Sequence, residues 1–178
     1  MSIVAAGIKK LYYTDSSKIT EDLTGPMVKT LIADAKEIKN VHGGTWTVEE
    51  EEATRTGYKN ELTGQVYRET VELGEVTMNF TLGQYDFETK ADLMGGDSTK
   101  GSWKRAKEVP NISKCTIAKT DDGVWVVFPK ASISAREADN ENAVGLAVVA
   151  KAMEHDNKDV SSEYWFTDEE VNKTSGGE

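Results

Sequence analysis

The sequence predicts a mainly β protein: a two-sheet β-sandwich or barrel with one or two short α-helices on its flank. Three observations lead there. Apolar and polar residues alternate with period two along much of the chain, an Asp-Asp-Gly turn separates two strand-like runs, and two segments carry helical spacing. At 178 residues the chain suits one domain with a sizeable core and is short for two. The reading assigns residues 1–167 to that domain. It assigns 168–178 to a flexible tail, because DEEVNKTSGGE has little to bury.

GIKKLYYT (7–14) reads as the first strand. Thr24-Gly25-Pro26 then opens a helix through MVKTLIADAK, with proline suited to the first helical turn. TWTVEEEEATRT (45–56) starts as a strand and runs into four glutamates. In QVYRETVELGEVTMNFTLG (65–83), Val76, Met78, Phe80 and Leu82 share one face, and Glu75, Thr77, Asn79 and Thr81 the other. That pattern marks a half-buried antiparallel strand. Before it, Tyr67, Val71 and Leu73 share a face, so Leu73-Gly74 is expected to turn or bulge between two long strands. YDFETKADLMGG (85–96) is the second helix. Asp86 caps it, Phe87, Ala91 and Met94 form its stripe, and Gly95 stops it.

ISKCTIAKT (112–120) and VWVVFPKA (124–131) flank Asp121-Asp122-Gly123, a hairpin signal because the turn needs positive φ. ASISA (131–135) alternates again, and ADNEN (138–142) reads as a hairpin connection. AVGLAVVAKAMEH (143–155) keeps period two through Val144, Leu146, Val148, Ala150 and Ala152, and Gly145 disfavours a helix by about 1 kcal/mol. SEYWFT (162–167) is the last strand.

Acidic residues number 31 against 21 basic, for a net charge of −10 and a pI near 4.8. Affinity for nucleic acid or an anionic membrane needs basic patches, so this balance argues against both. A lone cysteine, Cys115, excludes an internal disulfide and a thiolate zinc cluster. MSIVAAGIKKLYYT has too short an apolar stretch for a signal peptide, and no run of about 18 apolar residues follows. The expectation is a chain made in a reducing cytoplasm.

Motifs for chemistry are sparse. His42 and His155 stand far apart without metal-ligand spacing and read as loop histidines bonding to a backbone carbonyl. Cys115 shares a strand face with Ile117 and reads as a small hydrophobe. No serine lies in a GxSxG elbow, and neither GxGxxG nor GxxxxGK[ST] occurs. The reading therefore names no catalytic residue, no metal ligand and no cofactor. Trp46, Trp103, Trp125 and Trp165 are isolated in strand-like surroundings, which packing explains.

The order of elements over residues 5–167 resembles the major tail tube proteins of tailed bacteriophages. The pieces that carry the resemblance are GIKKLYYT, the charged excursion EEEEATRTGYKNELTGQVYRE, VTMNFTLGQYDFETKADLMGG, the hairpin DDGVWVVFPKASIS, AVGLAVVAKAMEH after a polar loop, and EYWF. The early helix PMVKTLIADAK departs from that layout, in which the principal helix lies midway. The resemblance implies no catalysis. It implies six-membered rings that stack into a hollow tube, carry other tail proteins as neighbours, and conduct DNA without specific binding. The place implied is the virion tail of a phage or prophage.

The glutamate run gains a role from this analogy. Two carboxylates on one strand face lie roughly 7 Å apart, which costs about 0.6 kcal/mol even in water. A strand end entering solvent accommodates that charge. So does an inter-subunit arm or an acidic lumen, for which Glu49, Glu50, Glu51 and Glu52 are candidates, with Arg55, Lys59 and Arg68 placed to pair with acidic groups across a contact. A monomeric β-sandwich that binds sugar or peptide through an exposed tryptophan platform is the competing reading, and a secretion-system tube ring is a third.

Overall fold

A computed structural model describes residues 2–173. The chain is mainly β, with antiparallel, sandwich- or barrel-like layers and, among the described residues, three short helices. The first part comprises β1 (Lys10–Asp15), α1 (Gly25–Asp34), β2 (Lys36–Ile38), β3 (Thr47–Glu50), β4 (Thr54–Lys59), β5 (Val66–Glu72) and β6 (Val76–Leu82). Next come α2 (Phe87–Met94), β7 (Asp97–Thr99), β8 (Ser102–Lys104), β9 (Ile112–Lys119) and β10 (Val124–Asn140). β11 (Ala143–Ala152), β12 (Tyr164–Thr167) and α3 (Asp168–Asn172) complete it. The main sheet runs β2-β1-β9-β10-β11-β6-β3, with β12 on the first half of β10; β4–β5 and β7–β8 form separate two-stranded ribbons.

β10 is the spine. Its register with β9 shifts between Phe128 and Ala131, at Pro129. Proline has no N–H to give to a ladder, so a bulge is where a strand tolerates it. The extra residue reverses the alternation, so Val126 and Phe128 before it and Ala131 and Ile133 after it all face one core. That core takes Leu11 and Tyr13 of β1, Met78, Phe80 and Leu82 of β6, Leu146, Val148 and Ala150 of β11, and Leu93 and Met94 of α2. The opposite face of β1, β9 and β10 presents Tyr12, Cys115, Ile117, Trp125 and Val127 to a second core with Val28 of α1 and Val171 of α3. β9 is therefore covered on both faces, and its interior from Cys115 to Ala118 is buried throughout.

Local signals hold where they were read. Gly123 has φ of 82° in the β9–β10 turn, and Glu141 and Asn142 take positive φ in the β10–β11 turn. Asp86 Oδ1 accepts the Thr89 N–H at 2.6 Å, and Gly95, φ 80°, donates to the Ala91 carbonyl.

Four expectations are corrected. Leu73-Gly74 does lie between two strands, β5 and β6, but they do not pair with each other: β5 pairs β4, while β6 pairs β11 and β3. The buried stripe of α2 is Thr89, Lys90, Leu93 and Met94, and Phe87 points outward. The four glutamates do not continue one strand, since β3 ends at Glu50 and β4 begins at Thr54. Residues 168–172 are not a frayed tail but form α3, which buries Val171 to 1% exposure. The sequence hides that because one valine among acids looks solvated until α1 supplies its partner. Residues 174–178 of the expected tail lie outside the described residues.

Candidate functional site

The β4–β5 ribbon leaves the body between β3 and β6. Arg55 lies opposite Val71, Gly57 opposite Glu69 and Tyr58 opposite Arg68. The register then slips, with Lys59 opposite Val66, which leaves Tyr67 as the extra residue of a bulge. The tip is held by Asn60: its N–H donates to the Gln65 carbonyl, its carbonyl accepts from Gly64 N–H at 2.7 Å, and its Oδ1 accepts from Leu62 N–H at 2.9 Å. Gly64, φ 71°, supplies the left-handed step.

At the base, Glu51 N–H donates to the Glu75 carbonyl at 3.0 Å. Gly74 passes so close to Glu51 that a Cβ there would lie 1.8 Å from the Glu51 carbonyl oxygen. Glycine is thus what lets the two connecting segments cross.

Every residue of β4 and nearly every residue of β5 is exposed. Exposed with them are Tyr58, Leu62 (95%), Val66, Tyr67 (70%), Val71 and Leu73 (81%). An isolated two-stranded ribbon is at best marginally stable in water, so apolar side chains on one with no covering layer mark a contact surface. The sequence reading expected Tyr67, Val71 and Leu73 on a sheet face. Their exposure was signalled by TRTGYK, the pairing strand, which offers no matching apolar alternation.

The structure gathers the sequence candidates unevenly. Glu49 and Glu50 sit on β3, whose outer edge is unpaired; Glu49 lies opposite Thr77 and Glu50 opposite Val76. Glu51 and Glu52 lie at the ribbon base, and all four are exposed. Arg55 is engaged within the ribbon, 3.2 Å from Glu69 Oε2. Arg68 lies over the Tyr58 ring at 5.8 Å, while Lys59 stands near the tip. Residues 49–75 hold eight acidic side chains against three basic ones.

The solvent side of β3, β6, β11 and β10 is a polar face. Its rows are Glu49–Thr77–Lys151–Ser132, Thr47–Asn79–Val149–Ser134 and Thr81–Ala147–Arg136. Asn79 Nδ2 donates to Thr47 Oγ1 and Thr77 Oγ1, tying the rows laterally. Its basic members, Lys151 and Arg136, make it mixed rather than uniformly acidic.

Elsewhere, Lys36 Nζ lies 3.4–3.8 Å from Asp86, Glu88 and Asp92. Tyr13 donates its hydroxyl to Asp92 at 2.7 Å, and burial together with that carboxylate pushes its phenol up. Among the described residues no group of three or more His, Cys, Asp or Glu side chains is disposed to hold a metal ion, and no helix is long and apolar enough to cross a membrane. Among the described residues the histidine side chains do not make the expected bonds to backbone carbonyls: His155 is buried and its Nδ1 accepts the Asn157 N–H at 3.1 Å, and His42 Nε2 lies 3.8 Å from the Glu141 carboxylate. A cleft of about 540 Å³ between β2 and the start of α2 is lined by Lys36, Asn40, Gln84 and Tyr85 among others. Of the four tryptophans, Trp165 alone is exposed, at 44%.

No protein-family model matches the chain, and no curated protein matches it in sequence.

Proposed function

We propose that the protein is a structural subunit of a phage tail tube, assembling into six-membered rings that stack and pass DNA. One observation carries the reading: a two-stranded ribbon stands off the body with Tyr58, Leu62, Tyr67, Val71 and Leu73 in solvent. Such a ribbon is stabilised by covering those side chains on another subunit, which makes it an arm. The unpaired edges of β3 and β12 support the same reading, because strand edges are completed by a further chain.

Charge supports it from a second direction. Six copies carry a formal charge of about −60, given −10 for each. A wall without a continuous basic track leaves the counterions on the phosphates, so DNA slides through without being held. The polar face with Thr77, Asn79, Thr81 and Ser134 is the candidate wall. On this reading the subunit is no enzyme, is made in the bacterial host cytoplasm, and ends in the virion tail beside other tail proteins. A sugar- or peptide-binding sandwich gains nothing from a single exposed tryptophan.

The test is negative-stain microscopy and light scattering of the concentrated protein, beside a variant with residues 54–72 replaced by a short Gly-Ser linker. Rings or tubes from the full chain, and a folded monomer from the variant, are expected. A full chain that stays monomeric at high concentration overturns the proposal.

A further inference from the structure

The ribbon base combines an apolar projection with unmatched negative charge. Leu73 is 81% exposed and is flanked in sequence by Glu72 and, past Gly74, Glu75. The tight Gly74 crossing brings the backbone of Glu51 against the same point. Among the described residues, neither Glu51, Glu52 nor Glu72 has a cationic side chain within 4 Å.

The complementary combination lies on the β7–β8 ribbon and the segment after it. KGSWKRAK (100–107) holds Lys100, Lys104, Arg105 and Lys107 with no acidic residue, and all four are exposed. Arg105 is shared with Glu137 at 3.2 Å, but Lys100, Lys104 and Lys107 have no carboxylate within 4 Å among the described residues. Beside Arg105 and Lys107 is a cleft of about 270 Å³, lined also by Met94, Ala106, Glu108, Val109, Pro110 and Ala135. The β7–β8 ribbon is rigidly seated: Trp103 Nε1 donates to the Gly95 carbonyl at 3.0 Å, and Lys90 Nζ lies 4.0 Å from the centre of the Trp103 ring.

We infer that the acidic base of the β4–β5 ribbon, led by Leu73, docks on the basic 100–107 surface and its cleft in a second copy of this chain. The inference rests on the assembly reading and names the surface that receives the arm. A second copy is the occupant because both halves sit on one polypeptide and match: an exposed leucine among three uncompensated carboxylates, and a mixed cleft rimmed by Arg105 and Lys107, with Lys100 and Lys104 on the same segment and Glu108 the one carboxylate in its lining. A contact between two different patches is head-to-tail, so it repeats from copy to copy and closes a ring or extends a stack. Opposite charges at its rim speed encounter and set register, and salt screens them.

A charge swap tests this. The first variant carries Glu51→Lys, Glu52→Lys and Glu72→Lys; the second carries Lys100→Glu, Lys104→Glu and Lys107→Glu. None of these side chains has an internal ion pair, so both variants are expected to melt like the parent chain. Each alone should need a concentration about tenfold or more above the parent's to assemble, and an equimolar mixture should recover most of that loss. The parent's assembly should also weaken between about 0.05 and 0.5 M salt. Either variant assembling like the parent, or a mixture of natively folded variants that stays apart, overturns this contact while leaving the tube reading intact. A parent chain that never assembles removes the tube reading and this contact together.

Discussion

Lys90 Nζ lies 2.6 Å from Glu137 Oε1, joining the buried face of α2 to the second half of β10. Lys90 is only 8% exposed, and burying an ammonium is costly unless it is paired. Trp103 supplies a ring face to the same charge, and Arg105 shares the carboxylate at 3.2 Å. Lys90→Ala should lower stability by about 1–3 kcal/mol, and Lys90→Met by less, because the methionine keeps the packing of the aliphatic stem. Urea midpoints of the two variants measure the difference. Equal losses would show that the stem contributes nothing.

Asp168 ties α3 to the main sheet. Its Oδ1 accepts from Lys119 Nζ at 2.6 Å and from Trp125 Nε1 at 2.9 Å. At Gly25 a Cβ would lie 2.3 Å from the Glu170 carbonyl oxygen, so α1 and α3 also touch through a glycine. Ending the chain at Thr167 should cost roughly 2–3 kcal/mol from the lost burial of Val171 alone. Thermal melting checks this, and an unchanged midpoint would return 168–172 to the status of a loose tail.

The same residue gives a pH dependence. Bonds from Lys119 and then Trp125 hold the Asp168 carboxyl below the usual range, and Lys90 followed by Arg105 does so for Glu137. A depressed folded pKa means stability that is present above the unfolded value, near 4, and lost as pH falls through the folded value. The melting temperature should therefore change little between about pH 7 and 5 and drop below about pH 4. Glu137→Gln should make that acid-side drop shallower.

Gly74→Ala should be harmful despite its exposed surroundings. A methyl group there would meet the Glu51 backbone at 1.8 Å, and backbone cannot swing aside as a side-chain tip can. The expected cost is about 1–3 kcal/mol, with the ribbon splayed at its base. Limited proteolysis should then cut within 54–72 faster than in the parent. Gly64→Ala, in open space at the tip but with φ of 71°, should act only through local strain and leave the base closed.

Cys115 should not react with thiol reagents in the folded protein. It is fully buried, and desolvation pushes the thiol up to about 12, so almost no thiolate exists at neutral pH. Modification should follow the urea unfolding curve. Rapid labelling without denaturant would contradict the packing of the second core.

Caps, turns and the alternation of β6 were read correctly from local sequence, and the candidate site shows where such reading stops. Asp86 and Gly95 bracket α2, Gly123 turns the β9–β10 hairpin, and Met78, Phe80 and Leu82 point inward, because each depends on neighbours a few residues away. Tyr67, Val71 and Leu73 show the same alternation but face solvent. Alternation says that a strand has two faces; it does not say which layer covers either. Lys90 is the converse case, a charge whose burial depends on Trp103, 13 positions later, and on Glu137, 47 positions later.

By itself, the order of residues determined the strand-rich class, the position of several strands and of two helices, caps and turns, the acidic excess and the absence of recognisable catalytic motifs. Only the tertiary structure decided that β5 pairs β4 and leaves the body, that the bulge at Pro129 keeps both halves of β10 on one core, and that α3 docks. Propensity and turn geometry act over a few bonds and are written in the adjacent side chains. Partner choice is settled by burial between segments far apart in the chain, and that exists only once the chain has closed on itself.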